Sequence, residues 1–278
     1  MDIASGHRGQ GAIETGCLAV KISIITPSLN QCAYLRQTME SILSQQGEFE
    51  LQWVVVDGGS TDGTLELLHG LNDSRVSWSS EPDGGQSAAV NKGLAKVDGE
   101  IVGWLNSDDL YLPGALDEVV RVFAGRPTAQ WVVGRCGIMD SQGKEIREGV
   151  TRYKNRSLRK YSYRKLLREN MISQPAVFWR KELIGKVGAL DQSLHYTMDY
   201  DLWLRMGRIS EPVLLERELA RFRIHARSKS GEVNREQFDE QFRVATRYFN
   251  GDWRSRWAHR LNVEKIVWAY RLMRIAGW

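Results

Sequence analysis

Three cysteines in 278 residues, Cys17, Cys32 and Cys136, cannot pair completely and form no C-x-x-C, so neither a disulfide framework nor a cysteine zinc site is expected. Apolar runs are short, and none reaches the ~18 residues of a spanning helix. The first twenty residues hold Asp2 and Glu14 with no apolar h-region, which argues against a secretory signal and for a reducing, cytoplasmic setting. Six prolines and 26 glycines are too few for a collagenous or low-complexity chain, and no repeat of about 20–50 residues is visible, which excludes solenoids and propellers. A strong excess of one charge is also missing: 38 Lys and Arg against 34 Asp and Glu leave +4, too mild to demand a nucleic acid. The mild total conceals a segregation. Residues 144–170 carry a net +7 and residues 250–278 a net +4, so the rest of the chain is acidic. Tyr153, Tyr161 and Tyr163 interleave the first basic segment, but no nucleic-acid module surrounds them, and no nucleic-acid partner is expected.

At 42% apolar and 26% charged residues, the composition is that of a folded globular protein. Residues 1–20 show no periodicity and read as a flexible tail. From Lys21 the pattern alternates. Ile22-Ser-Ile-Ile-Thr26 and Leu51-Gln-Trp-Val-Val-Val56 are β-branched runs that end at Pro27 and Asp57-Gly58, and Tyr34, Leu35, Thr38, Met39, Ile42 and Leu43 recur between them at helical spacing. Continuing the alternation predicts helices near 61–69, 86–96 and 113–123 and strands near 76–78 and 100–105. The first hundred residues therefore read as a doubly wound α/β half. In the second half, strands are expected near 130–135, 177–179 and 220–224, a helix over 200–206, and helix from 235 to the end.

Ligands of open α/β sheets bind beyond the carboxyl ends of the strands, so carboxylates that follow apolar runs are the first candidates for chemistry. Asp57 opens the turn Gly58-Gly-Ser-Thr-Asp62-Gly-Thr64, where it can accept a base or ribose donor or simply cap the turn. Asp108 and Asp109 are adjacent at the end of the 101–105 run. Two neighbouring carboxylates repel unless a cation or hydrogen-bond donors lie between them, which suits Mg2+ or Mn2+ shared with substrate phosphates; the alternative makes Asp109 a helix cap. Gly84 and Gly85 precede a helix start, where backbone and ligand can approach closely and a phosphate could sit.

Ser23-Ile-Ile-Thr-Pro-Ser-Leu-Asn30, Val56-Asp-Gly-Gly-Ser-Thr-Asp-Gly-Thr64, Glu81-Pro-Asp-Gly-Gly-Gln86 with Asn91-Lys-Gly93, Leu105-Asn-Ser-Asp-Asp109 and Asp199-Tyr-Asp-Leu-Trp-Leu-Arg205 stand in this order. Together they resemble the family 2 glycosyltransferases. The resemblance implies a GT-A fold, a nucleotide-sugar-binding α/β sandwich, over 21–230, divided into a nucleotide-binding half (21–110) and an acceptor half (111–230), with a helical extension over 231–278. It implies an inverting transfer from a nucleotide-diphosphate sugar, UDP being the commonest nucleotide, to a glycan or lipid-linked acceptor in polysaccharide assembly. By position, Thr26, Pro27 and Asp57 match base-contacting groups, Asp83 a nucleotide contact, Asp108 a ribose contact, Asp109 the metal ligand, His225 a further metal ligand and Asp199 the general base. Met198 departs from the family's Glu-Asp pair, and Asp201 is a rival base. A sugar-phosphate nucleotidyltransferase would need a Gly-rich triphosphate loop where this chain has Thr26-Pro-Ser-Leu-Asn30, a dehydrogenase would need G-x-G-x-x-G after a strand, and a mere nucleotide-sugar binder has no use for a base.

On a helical wheel, Trp253, Trp257, Leu261, Trp268, Leu272 and Ile275 form a stripe beside Arg256, Arg260 and Arg274, as in helices that lie on membranes. Val263, Ile266, Tyr270 and Met273 form a second apolar face suited to docking on the catalytic domain. Peripheral membrane contact and intramolecular docking are both consistent with this pattern.

Overall fold

The computed structural model describes residues 20–228 and 235–275, with side chains placed through residue 268 in the last helix. The expected tail lies outside the described residues except for Val20. The β-branched runs build a parallel sheet from β1 (Val20–Ser28), β2 (Phe49–Asp57), β3 (Val76–Ser80) and β4 (Ile101–Trp104), connected by α1 (Cys32–Leu43), α2 (Thr64–His69) and α3 (Gln86–Lys96). Successive side chains point to opposite faces. Ile25, Val54, Val56 and Trp104 enter one core layer, whereas Ile24, Trp53 and Val55 enter the other, so both faces of these strands are covered.

After β5 (Leu110–Tyr111) and α4 (Ala115–Gly125) comes β6 (Trp131–Met139), followed by α5 (Glu148–Leu158), α6 (Tyr163–Leu166) and β7 (Val177–Arg180). Next are α7 (Lys181–Val187), α8 (Met198–Ile209) and β8 (Val213–Arg223), then α9 (Arg235–Thr246) and α10 (Trp253–Ile275). One eight-stranded mixed sheet runs β3-β2-β1-β4-β7-β6-β8-β5, with β7 antiparallel to both neighbours. The chain winds from β1 outward through β2 to β3 and then returns to place β4 on the other side of β1. The switch point therefore lies between the carboxyl ends of β1 and β4, where a ligand crevice is expected in such sheets.

Several boundaries differ from the expectation for local reasons. The helix expected from residue 61 begins at Thr64 because Asp62 accepts hydrogen bonds from Thr64 N and Oγ1 and Gly63 takes φ +91°. The helix expected from 113 begins at Ala115, after left-handed Gly114, because Leu110 and Tyr111 pair with β8 instead. The helix expected from 235 onward is two helices, broken at Asn250 (φ 45°) and Gly251 (φ 84°).

What positions α8 is aromatic. Trp203 stacks on Trp131 of β6 at 6.2 Å and lies 6.0 Å from Trp179 of β7, all three fully buried. Buried indoles of this size contribute several kcal/mol each, roughly 3–5 on truncation, and lock the helix against the sheet.

Candidate active site

A cleft of about 380 Å³ opens at the switch point, lined from β1 by Pro27 and Ser28, from the segment after β4 by Asn106 and Asp108, and from the start of α8 by Asp199. Two of its walls are organised by carboxylates that do not themselves line it. Asp57 is fully buried and accepts hydrogen bonds from Gly59 N (3.0 Å), Ser60 N (2.8 Å), Ser60 Oγ and Ser80 Oγ (2.7 Å). It holds the turn after β2, the capping alternative foreseen for it. Asn30, in the left-handed region at φ 53°, ties that turn to β1 by accepting from Thr61 N at 2.8 Å and donating its own N–H to Ser60 Oγ at 2.7 Å. Thr26 is likewise buried and accepts from Trp53 Nε1 at 2.9 Å, so of the Thr26-Pro27 pair only Pro27 reaches the cleft. Asp83 does line it and fixes the Gly84-Gly85 bend by accepting from Gly85 N at 2.7 Å. Helix α3 starts there with no side-chain cap, and Gly85 and Gln86 at its start line the cleft.

The adjacent pair Asp108 and Asp109 separates into two environments. Asp109 is fully buried; it accepts from Arg223 N at 2.8 Å and Asn106 Nδ2 at 3.2 Å, and it is absent from the cleft lining. Burial foremost, then the Asp108 charge, pushes its carboxyl well above the usual range. Asp108 faces the cleft, and its Oδ2 lies 3.0 Å from His225 Nε2. Arg223 fastens the assembly, donating from Nε to Asp108 O at 2.7 Å and from NH2 to Gln37 Oε1 at 2.6 Å while covering the Tyr34 ring at 4.9 Å.

Across the cleft, α8 presents Asp199, whose Oδ1 accepts from Tyr200 N at 2.7 Å. Burial pushes its carboxyl up to about 6, against the opposing pull of the Tyr200 amide and the Lys154 ammonium. Asp201 is buried, paired to Arg205 Nε at 2.9 Å and hydrogen-bonded by Tyr248 OH at 2.7 Å, so it braces α8 to the segment after α9 and does not reach the cleft. Arg205 thus turns inward to this pair and to the carbonyls of Val187 and Gly188. Glu240 of α9 grips the entrance to α8: its carboxylate accepts from His195 N (3.0 Å), Tyr196 N (2.8 Å), Thr197 N (2.8 Å) and Thr197 Oγ1 (2.8 Å). These donors hold Glu240 below the usual carboxylate range although burial opposes them.

The sequence-predicted residues Pro27, Asp83, Asp108 and Asp199 thus share one cleft, with His225 beside Asp108, whereas Thr26, Asp57 and Asp109 stand behind its walls. Unforeseen members are Asn106, which accepts from Gln86 Nε2 and Trp104 Nε1 at 2.8 Å each, and Gln174, which accepts from Asn106 Nδ2 at 3.1 Å. Gln86 stands in a quoted motif; Gln174 carried no signal. Ser28 Oγ is buried at the cleft with no partner among the described residues, a hydroxyl left for a ligand.

Among the described residues, no group of three or more His, Cys, Asp and Glu side chains converges as a closed metal cage. Asp108 and His225 nevertheless fit an open site, one carboxylate and one imidazole, with other ligands coming from phosphate and water. His225 Nδ1 accepts from Arg227 N at 3.2 Å, so Nε2 carries the proton toward Asp108; ligation through Nε2 requires the Arg227 turn to release Nδ1.

The sequence matches the family described as Glycosyl transferase family 2 over residues 23–188. An uncharacterized glycosyltransferase of Mycobacterium tuberculosis (strain ATCC 25618 / H37Rv) is 29% identical over 207 residues, covering 73% of this chain and 75% of the relative. One from Rickettsia typhi (strain ATCC VR-144 / Wilmington) is 28% identical over 212 residues, covering 73% and 64%. Among solved structures, S. aureus TarS 1-349 in complex with UDP-GlcNAc aligns with a TM-score of 0.64 at 18% identity over 84% of this chain and 68% of that one. Mannosyltransferase PcManGT from Pyrobaculum calidifontis, in complex with GDP-Man and Mn2+, aligns with a TM-score of 0.65 at 17% identity over 90% and 75%. These likenesses establish the expected GT-A architecture, and the family match spans more than half of the chain: it belongs to glycosyl transferase family 2.

Proposed function

We propose that this glycosyltransferase transfers a sugar from a nucleoside diphosphate sugar, with uridine as the nucleotide, to a hydroxyl of a glycan or lipid-linked acceptor in polysaccharide assembly, with inversion at the anomeric carbon. The carrying observation is that Asp108, with His225 beside it, and Asp199 line one cleft at the switch point from separate walls. The 21–230 segment is the catalytic domain in this reading, and 231–278 is a brace that reaches α8 through Glu240 and Tyr248.

Inverting transfer is a single displacement, so the site needs one base and one sink for the charge of the leaving diphosphate. Asp199 accepts the proton of the acceptor hydroxyl as its oxygen bonds to the anomeric carbon, and the bond from that carbon to the diphosphate oxygen breaks on the opposite face. The nucleoside diphosphate leaves with that electron pair. Pro27 and Asp83 line the nucleotide end, and Asp57 and Thr26 keep that wall in shape. The metal-ligand role foreseen for Asp109 passes to Asp108, because the Asp109 oxygens are engaged by Arg223 and Asn106. Mg2+ or Mn2+ held by Asp108 and a reoriented His225 would neutralise the diphosphate; the Mn2+ of the mannosyltransferase complex supports this choice. Nucleotide sugars of the cytoplasm are the natural donors.

The test measures nucleoside diphosphate release from UDP- and GDP-sugars with and without acceptor, with donors first screened by thermal shift. Release that requires both substrates supports the transferase. Release of pyrophosphate from a nucleoside triphosphate and a sugar phosphate would instead establish the nucleotidyltransferase alternative, and donor binding without turnover the binder.

A further inference from the structure

Helix α10 divides its two apolar faces between two environments. Ser255 and His259 are fully buried, and Val267 nearly so. His259 Nδ1 lies 2.8 Å from Leu167 O, Ser255 Oγ accepts from Arg168 Nε at 3.0 Å, and Asn262 Nδ2 donates to Arg168 O at 3.2 Å. This face is docked, as one of the two sequence readings anticipated. The other is not. Trp253, Trp257, Leu261 and Trp268 are 64%, 62%, 56% and 64% exposed, four of the seven exposed large hydrophobics among the described residues. At about 100° per residue these four span an arc of roughly 80°, turned away from the docked side.

We propose that this face seats on an anionic lipid surface. Complementary charge selects that occupant. On the wheel Arg256 and Arg260 flank the stripe on one side and Arg254 and Lys265 on the other, all exposed. The Arg254 guanidinium lies 5.5 Å over the Trp253 ring. The acidic residues nearby are already paired: Glu264, within the stripe's arc, with Arg235 NH2 at 3.3 Å, and Asp252, just before it, with Arg164 Nε at 3.0 Å. That second pair also brings the basic 144–170 segment to the start of the stripe. Indoles ringed by guanidinium and ammonium groups match the headgroup zone, where the rings sit among acyl carbonyls and the cations meet lipid phosphates. Among the described residues no helix is long and apolar enough to cross a membrane, so the helix lies in the surface plane.

Full-length protein is floated with phosphatidylcholine vesicles made with or without phosphatidylglycerol. Flotation is expected only with the anionic vesicles, to fall by about fivefold per cation when Arg256, Arg260 and Lys265 are changed to Gln, and to disappear in the triple variant Trp253→Ala, Trp257→Ala, Trp268→Ala, with Tm and donor binding unchanged. No flotation with anionic vesicles, or equal flotation of the triple variant, overturns the proposal. So does light scattering that finds a dimer which the triple variant dissolves while wild type ignores vesicles, because the face then belongs to a second copy.

Discussion

Replacing Asp199 with Asn retains size and capping ability and removes basicity, so the exchange separates a base from a helix cap. Burial pushes the Asp199 carboxyl up to about 6. A group with that value is about one-tenth ionised at pH 5 and about nine-tenths at pH 7, so kcat/KM of the wild type should climb roughly tenfold across that interval. An ordinary aspartate would already be ionised throughout and give a flat profile. Loss of the base should lower turnover by about 10²–10⁴-fold with little change in donor affinity. Stability should move the other way. A carboxyl whose folded-state value is raised contributes stability that is present below its unfolded value near 3.8 and is lost as pH rises through about 6. At pH 7.5 the Asn variant, which carries no charge to bury, is therefore expected to match wild type or exceed it by about 1–2 kcal/mol, the lower figure allowing for water at the cleft. Steady-state release assays from pH 5 to 8, paired with thermal melts, read both effects. A flat wild-type profile, or near-normal turnover in Asp199→Asn with collapse in Asp201→Asn, would refute the assignment, and retained anomeric configuration by NMR would overturn inversion.

Asp108→Ala should abolish turnover and the Mn2+-dependent thermal shift of the nucleotide complex while costing stability only through its one His225 contact, whereas Asp109→Ala should cost about 1–3 kcal/mol of stability by stranding both Arg223 N and Asn106 Nδ2. Thermal melts with and without Mn2+ and UDP distinguish the pair, and the reverse pattern returns the metal to Asp109. Glu240→Gln removes a charge that raises the Asp199 value, so the rising limb of the pH profile should move below about 6. Because Glu240 itself is held low, its stabilising contribution is present at neutral pH and is lost as pH falls through its depressed value, so the melting deficit of this variant should shrink in acid. Tyr248→Phe strips a 2.7 Å hydrogen bond from buried Asp201 and should lower stability by about 1–3 kcal/mol while leaving kcat near normal; a collapse in kcat would make Asp201 more than a brace.

The first half of the fold was legible because its strands are buried on both faces and its helices are amphipathic. Ile22–Thr26 and Leu51–Val56 could hardly be anything but interior strands, and β1 and β2 contain them whole. Other elements have no local signature in the sequence. Helix α5 buries only Thr151, Ser157 and Leu158 and is otherwise a charged surface, so its apolar period is faint. Strand β5 is two residues long and exists only because β8, over a hundred residues later, offers an edge. The break at Asn250-Gly251 was visible in composition, since those residues accept positive φ, but the apolar residues on either side kept the helical reading alive.

At the site, the order of motifs located the segments that converge on one cleft, but not which side chain of each segment lines it. Asp108 and Asp109 are chemically identical and adjacent; which one meets the cleft depends on where Arg223 N lies, and that amide belongs to a strand 114 residues away. The same reasoning separates Asp199 from Asp201. Two residues apart on one helix, they point about 200° apart, so one carboxylate reaches the cleft while the other meets Arg205 and Tyr248. A motif therefore specifies a stretch of backbone, and the partners that arrive from distant segments specify what each of its side chains does. Glu240 extends the point. It lies beyond the family match that ends at residue 188, yet it closes on three consecutive amides at the entrance to α8 and sets both the position of Asp199 and part of its charge environment. The extension that reads in sequence as an appendage is in the fold a brace for the helix that carries Asp199.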